Sequence, residues 1–241
     1  HRLGPVARRE GFDSVDLMLT ALWEKPVASL GWAVIEALLN SETWFRRDRT
    51  TFDIFADELL PALTKARPGG HVRLWSAGCA SGQEPYSLAM AALEAGASVE
   101  IVATDLSQKA LDKARSGSYT GFEIQRGLRA HTMLRWFEPF DEAWVARPEL
   151  RSAVQFSRAN LLDEPVGEAR FDVILCRHVL TDVEPARRGQ VIDGLERQLV
   201  DDGCLFLGPD ETLDGDTLAF RPVHGRKGLF VKSPASLRRA A

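Results

Sequence analysis

The stretch LWSAGCASGQEPYS, residues 74–87, decides the fold predicted for this chain. Its apolar start predicts a β-strand, Gly78 and Gly82 predict a loop, and the residues from Pro85 onward predict a helix. Asp105 stands at the end of the next apolar run, about twenty residues further along. A strand, a glycine loop and a helix, followed by an acid after the next strand, are typical of a nucleotide-type cofactor site at the edge of a parallel sheet.

The composition is that of a globular protein with enough apolar material for a full core. The 241 residues are 45% hydrophobic and 27% charged. The net charge of -4 provides no global positive field, so we predict no nucleic-acid partner. The apolar stretches are too short to span a bilayer, so we also predict no membrane insertion.

The cysteines indicate neither disulfides nor a metal site. Cys79, Cys176 and Cys204 are odd in number, and their spacing fits no metal-binding motif. Each lies in or just after a predicted strand, which favours buried, reduced thiols. We therefore predict a reducing, cytoplasmic setting and no bound metal.

The chain divides at an Arg-Pro-Gly-Gly sequence, residues 67–70. Residues 12–66 carry apolar side chains at helical spacing, with Asp13 or Ser14 as the first cap. We predict an N-terminal helical subdomain with its linker over residues 1–67 and an α/β domain over residues 68–241. Residues 119–157 break the alternation of strands and helices, and we predict a small inserted β-subdomain there that includes a strand at 154–157.

Within the second part, apolar runs alternate with amphipathic segments, as in a parallel sheet covered by helices. The predicted strands cover residues 72–76, 99–104, 171–176, 204–208 and 229–232, the last of them antiparallel. The predicted helices cover residues 85–94, 107–115 and a segment from 185 to a turn at 201–203.

The loop itself narrows the choice of cofactor. Dinucleotide-binding loops carry three glycines, whereas this loop has Gly78 and Gly82 followed by Glu84. A carboxylate at the start of the helix would repel a pyrophosphate but would suit a cationic ammonium group. Because Gly-Lys-Ser/Thr is absent as well, the loop favours S-adenosylmethionine over NAD or ATP. A tight turn without any ligand stays an alternative.

Two further polar residues fit the same ligand. Asp105 follows an apolar strand, where a carboxylate accepts hydrogen bonds from both ribose hydroxyls. The alternative is an acid that merely precedes the helix capped by Ser107. Asn160 has an amide that pairs with an adenine edge, and the alternative is an asparagine in a turn.

Several blocks together resemble one family in the same order along the chain. They are SAGCASGQEPYS at 76–87, ETWFRRD at 42–48, ATDLS at 103–107, FDVILCR at 171–177 and GCLFLG at 203–208. These blocks are similar to those of the CheR family, the chemoreceptor glutamate methyltransferases. The resemblance covers most of the chain.

The resemblance implies a class I Rossmann-like methyltransferase domain with an N-terminal helical subdomain and a small inserted β-subdomain. It implies S-adenosylmethionine as cofactor, S-adenosylhomocysteine as product and a chemoreceptor cytoplasmic helix as protein substrate. Arg47 is the implied catalytic cation. The residues implied to bind the cofactor are Ser41, Thr43, Arg47, Ala77, Gly78, Glu84, Asp105, Leu106, Asn160, Leu161, Arg177 and His178.

The departures from the family pattern lie on the acceptor side. His178 stands where the family usually has Asn, and Asp182 stands where it has a Tyr near the reactive methyl. Ser41 replaces a frequent Asn. These substitutions keep two alternatives open, a methyltransferase with a different acceptor and a cofactor-binding regulatory module without catalysis. Residues 136–157 contain no glycine, so we predict no tethering of a receptor-tail peptide there.

Overall fold

The computed structural model describes residues 1–163, 170–213 and 217–234. The N-terminal part is helical, as predicted, with a short first helix that the sequence did not indicate. Its helices are α1 (Gly4–Arg9), α2 (Val15–Glu24), α3 (Ala28–Leu38), α4 (Arg49–Ile54) and α5 (Leu60–Ala66), the last two joined by a π-helical turn. Ser14 caps α2 by accepting a hydrogen bond from the Leu17 backbone N–H at 3.2 Å.

The rest of the chain forms a large sheet, a small sheet and the helices around them. The strands are β1 (Val72–Ala77), β2 (Val99–Asp105), β3 (Ser118–Thr120), β4 (Phe137–Phe140), β5 (Ala143–Ala146), β6 (Val154–Arg158), β7 (Phe171–Leu175), β8 (Leu199–Phe206), β9 (Phe220–Pro222) and β10 (Leu229–Lys232). The helices are α6 (Gln83–Glu94), α7 (Gln108–Ser116), α8 (Gly121–Gln125), α9 (Ala130–Trp136), α10 (Pro148–Ser152) and α11 (Pro185–Gln198).

The large sheet has the order β6-β2-β1-β7-β8-β10-β9. The first five strands run parallel, and β10 is antiparallel to both β8 and β9. The chain builds outward from β1 in one direction and then returns to place β7 on the other side of it. A crevice opens at such a reversal, beyond the carboxyl ends of the two strands. The predicted α/β class is therefore confirmed, and the topology places the crevice at the glycine loop.

The predicted insertion is present as an antiparallel sheet of order β3-β5-β4, but it does not include residues 154–157. These residues belong to β6, which pairs parallel with β2 from Ile101–Val154 to Asp105–Arg158. That part of the sequence prediction was wrong. An edge strand of a large sheet is half exposed and shows the same alternation as a strand of a small surface sheet, so the local pattern did not separate the two.

The predicted turn at 201–203 lies inside β8, which begins where α11 ends. Gly203 is there because of close packing, since a Cβ at this position would lie 2.8 Å from the Asp172 carbonyl oxygen. The pairing with β7 is irregular at this point, between Phe171 and Val173. A glycine beside two acids is typical of a turn, but a glycine is also selected where two strands approach closely. The sequence alone did not distinguish these two reasons for Gly203.

The apolar side chains fall into three clusters. Helices α1–α3 have a small core of their own, built from Val6, Ala7, Met18, Leu30 and Val34. Helices α4 and α5 instead pack against the large sheet, with Phe52, Phe55 and Leu60 in its main core. We predicted a division at residue 67, whereas the packing groups α4 and α5 with the sheet.

The Arg-Pro-Gly-Gly segment is tied to the sheet by charge. Arg67 forms a short ion pair with buried Asp172 and a two-point pair with Asp202, at 2.8 and 2.9 Å. The second oxygen of Asp172 accepts a hydrogen bond from the Arg73 backbone N–H at 2.8 Å. The two carboxylates raise the pKa of Arg67 above its usual value. This cluster lies at the amino edge of β7, opposite the crevice.

Replacing Asp172 tests this attachment. We expect Asp172→Ala to lower the free energy of unfolding by about 2–3 kcal/mol, because it leaves the Arg73 backbone N–H and the Nε of Arg67 without their acceptor. Asp202→Ala is the matched control and should cost under about 1 kcal/mol, because that carboxylate is exposed. Chemical denaturation measures both; equal losses would contradict the assignment.

Candidate cofactor site

The glycine loop after β1 is held in an unusual backbone conformation. Gly78, Ala80 and Gly82 have φ angles of 82°, 47° and 92°. The backbone N–H groups of Gly78 and Cys79 both donate to the Thr104 carbonyl at the end of β2, at 2.8 and 2.9 Å. The loop therefore follows the ends of the two central strands rather than extending into solvent.

Gly78 also allows a neighbouring loop to approach. A Cβ at this position would lie 2.5 Å from the Val179 side chain, which follows β7. The crevice between β1 and β7 is thus narrow at its base, and a glycine is required there by conformation and by space.

Asp105 lies beside this loop. Its two carboxylate oxygens accept hydrogen bonds from the backbone N–H groups of Ala80 and Ser107, each at 2.8 Å. Burial raises the pKa of Asp105 above the ordinary aspartate value, although these hydrogen bonds act in the opposite direction. Ser107 caps α7, as predicted, so Asp105 joins the loop after β1 to the start of the helix after β2.

A buried arginine crosses the other side of the crevice. The Arg177 side chain is 1% exposed and donates to Glu84 at 2.9 Å, to Asp48 at 2.5 Å and to the Arg47 carbonyl at 2.7 Å. Glu84 also accepts a hydrogen bond from the Ser76 hydroxyl at 2.8 Å. Both oxygens of Glu84, and the charge of Arg177, are therefore engaged within the protein.

His178 follows directly and has a φ of 59°. Its Nε2 lies 2.7 Å from an Asp48 oxygen, and its backbone N–H donates to Glu211 at 2.6 Å. The same Glu211 oxygen accepts the Gly208 N–H at 2.7 Å. His178 thus links the segment before α4, through its ring, to Glu211 beyond β8, through its backbone N–H, and these two contacts hold its unusual backbone angle.

Arg47 is positioned by its own segment. Its guanidinium stacks on the Trp44 ring, 4.4 Å from the centroid, and its Nη1 donates to the Glu42 carbonyl at 2.9 Å. Arg126 lies over the same ring at 4.0 Å. The buried Nε of Arg47 has no hydrogen-bond partner among the described residues, so this cation retains capacity to hold an anionic group.

These groups surround one cavity of about 920 Å³. Eleven of the twelve residues predicted to bind the cofactor line it, namely Ser41, Thr43, Arg47, Gly78, Glu84, Asp105, Leu106, Asn160, Leu161, Arg177 and His178. Ala77 is the exception, because its side chain is fully buried in a core cluster. The volume is in the range of sites that enclose a nucleotide-sized ligand.

The side-chain amide of Asn160 forms its hydrogen bonds within a local turn. Its Oδ1 accepts the Leu162 N–H at 3.1 Å and its Nδ2 donates to Asp163 at 3.2 Å. Asn160 is therefore a turn residue, which was the alternative interpretation, and it also lies at the cavity as predicted.

Sequence reasoning missed part of the site. Asp48 lies in the block at 42–48 but had no predicted role, and Glu211 had no predicted role either. The cavity is also lined by Arg2, which precedes α1, and by Ile35, Leu38 and Leu39 at the end of α3. These carry no local signal, because only the folded chain brings α3 to the edge of the sheet.

The described part of the chain holds no group of three or more side chains placed to bind a metal ion. Across the same residues, no helix combines the length and apolar character needed to cross a membrane.

A parallel sheet that reverses beside β1, with a glycine loop and an acid at its carboxyl edge, defines the class of α/β domains that bind nucleotide-type cofactors. Comparison with known proteins narrows this class. Residues 41–229 match the sequence model of "CheR methyltransferase, SAM binding domain".

Curated relatives agree with this match. Chemotaxis protein methyltransferase Cher2 of Pseudomonas putida KT2440 is 33% identical over 243 residues, covering 96% of this chain and 88% of the relative. Chemotaxis protein methyltransferase 1 of Pseudomonas aeruginosa PAO1 is 34% identical with the same coverage. The probable biofilm formation methyltransferase WspC of P. aeruginosa is 35% identical over 74% of this chain and 43% of its own length.

The chain belongs to the CheR methyltransferase family. It is an S-adenosylmethionine-dependent methyltransferase, as its sequence predicted.

Gly78→Ala tests the shape of the crevice. We expect the substitution to cost about 2 kcal/mol or more of stability and to weaken cofactor binding, because the added methyl meets Val179 in a backbone conformation that is already strained. Gly96→Ala is the matched control, since Gly96 also has a positive φ, 62°, but nothing lies within 4 Å of its Cβ position. Thermal unfolding and calorimetric titration with S-adenosylhomocysteine compare the two. Equal losses of stability would contradict the proposed contact.

Proposed function

We propose that this methyltransferase acts in the cytoplasm and transfers methyl groups to glutamate carboxylates on the cytoplasmic helices of a chemoreceptor or a related signalling protein. The names of the relatives support this class of substrate. The observation that carries the proposal is the placement of Asp105 and Arg47 in the walls of one cavity. Asp105, which suits the ribose hydroxyls, and Arg47, which suits a carboxylate, therefore line the same cavity.

In the proposed arrangement Asp105 accepts hydrogen bonds from the ribose hydroxyls, and Leu161 flanks the adenine with Asn160 shaping its turn. Ser41, Thr43 and Leu106 complete the cofactor contacts. The donor set fits a ligand with an ammonium group and a carboxylate, because Glu84 and Arg47 both line the cavity. Arg177 holds Glu84 in place rather than facing the ligand with a free charge.

Methyl transfer to a carboxylate requires no proton transfer by the protein. S-adenosylmethionine supplies an electrophilic methyl group on a sulfonium centre. A glutamate carboxylate is ionised at neutral pH and needs no general base. The protein aligns the acceptor, excludes water and balances the charges. We propose that Arg47 binds a carboxylate, either that of the acceptor or that of the methionine moiety.

One observation favours a second candidate function. Asp182 lines the same cavity, where a negative charge opposes the approach of a carboxylate. An acceptor with a hydroxyl or cationic group would meet no such repulsion. The type of bond that joins the methyl group to its acceptor, a methyl ester or another linkage, distinguishes the two candidates.

We also propose that no receptor-tail peptide is tethered through the small sheet. Its edge strand β4 contains Pro139, which has no backbone N–H to offer to an added strand. The absence of glycine from residues 136–157 supports the same conclusion.

The pH dependence of cofactor binding tests the role of Asp105. Because the pKa of Asp105 is raised, this carboxyl takes up a proton at a higher pH than an exposed aspartate, whose pKa is about 3.9. The protonated form accepts hydrogen bonds less well, so we expect the affinity for S-adenosylhomocysteine to fall as the pH is lowered from neutrality. Asp105→Asn should bind weakly and lack this component of the pH profile. Identical profiles for the two proteins would contradict the assignment.

Transfer of a labelled methyl group tests the acceptor. With S-adenosylmethionine and a chemoreceptor cytoplasmic fragment from the source organism, we expect label that is released as methanol by mild base, as a methyl ester requires. Asp182→Asn should retain or raise this activity, because it removes a negative charge beside the acceptor. Label that survives base would favour the second candidate, and cofactor binding without transfer would contradict a chemoreceptor acceptor.

A further inference from the structure

One face of helix α3 contacts the carboxyl edge of the large sheet. Glu36 accepts hydrogen bonds from the Ser107 hydroxyl and the Gln108 backbone N–H, both at 2.6 Å. Trp32, one helical turn earlier, stacks against Arg158 with the guanidinium 3.9 Å from the ring centroid. These contacts reach the start of α7 and the end of β6, on the side of the sheet where Asp105 lies.

The adjoining face of α3 borders the cavity. Ile35, Leu38 and Leu39 line it, and Ile35 and Leu38 are 39% and 54% exposed. Arg2 also lines the cavity and donates to the Leu38 and Leu39 carbonyls at 3.0 and 3.1 Å, closing the end of α3. Large apolar side chains exposed toward a cavity are suited to be covered by a ligand.

The attachment of α3 to the sheet is polar and local. The core of α1–α3 contains Val6, Met18, Leu30 and Val34 and is separate from the two clusters around the sheet. These helices therefore pack on one another without the sheet, and the contacts of Trp32 and Glu36 decide how firmly α3 stays at the cavity. Such contacts break and re-form at far lower cost than an apolar core.

Glu36 is connected to the candidate ribose acid as well. Ser107 donates its hydroxyl to Glu36 and its backbone N–H to Asp105, so the three residues form one chain of hydrogen bonds. The carboxylate of Glu36 also contributes to the raised pKa of Asp105. A shift of α3 would thus alter both the wall of the cavity and the surroundings of Asp105.

We propose that Trp32 and Glu36 are positioning residues that hold α3 against the cofactor cavity and so set how long the cofactor stays bound. The inference rests on the proposed placement of S-adenosylmethionine in that cavity. It assigns to the first helices a role in cofactor retention, in which α3 must leave its contacts before the ligand exchanges.

Dissociation kinetics test this proposal. We expect Glu36→Ala to release S-adenosylhomocysteine about tenfold faster than the unaltered protein, since it removes two charge-assisted hydrogen bonds. Trp32→Ala should also speed release, and Glu36→Gln should have a smaller effect because an amide keeps one acceptor. Stopped-flow competition measures each rate, and circular dichroism checks that each variant is folded.

The matched control is Glu24→Ala, which removes an exposed acid at the end of α2, in the same group of helices. Its release rate should be unchanged. A purely structural role for Glu36 would lower the melting temperature without altering the release rate of the folded protein, and that result would overturn the proposal.

The outcomes also separate this inference from the proposed site. If the unaltered protein binds S-adenosylhomocysteine and Asp105→Asn weakens binding, unchanged release from both the Glu36 and Trp32 variants overturns the inference alone. If the unaltered protein does not bind this ligand, the proposed site and the inference are both overturned.

Discussion

The site depends on the buried guanidinium of Arg177. It joins three segments that are distant in sequence, the one before α4 through Asp48, the start of α6 through Glu84 and its own loop after β7. Two carboxylates close to one cation are stable in this setting because each pairs with the guanidinium and accepts a further hydrogen bond, Glu84 from Ser76 and Asp48 from His178. Without Arg177, Asp48 and Glu84 would repel one another across the crevice. The cavity therefore has its shape because this cluster closes one end of it.

The two sides of the cavity differ in how closely they follow the family pattern. On the proposed cofactor side, Gly78 and Asp105 are held by backbone hydrogen bonds, and Glu84 is held by the side chains of Ser76 and Arg177. On the proposed acceptor side, where the sequence analysis noted departures at His178 and Asp182, His178 is hydrogen-bonded to Asp48 and Glu211. The residues proposed to bind the cofactor therefore lie at the ends of the strands, while those on the proposed acceptor side lie in the loops that follow them.

Local signals explain which features were predictable. Ser107 caps α7 and Gly78 allows its turn for reasons that involve neighbouring residues, so both could be predicted from the sequence. Residues 154–157 were misplaced because half-exposed alternation does not identify the sheet to which a strand belongs. Gly203 was misread because close packing and a turn both select glycine. Glu36 was missed because its partners lie about seventy residues away and leave no local trace.

The sequence by itself determined the class of the fold, the glycine loop, the position of Asp105 and the family. The first three follow from periodicity, from turn chemistry and from the rule that parallel strands end at one edge, and the family follows from the resemblance of several sequence blocks. Only the tertiary structure decided that Arg177 forms ion pairs with Asp48 and Glu84. It also decided that Ala77 is buried away from the cavity and that α3 forms one wall of the cavity. The physical reason is that charge pairing and burial depend on which distant segments meet, and residue spacing does not contain that information.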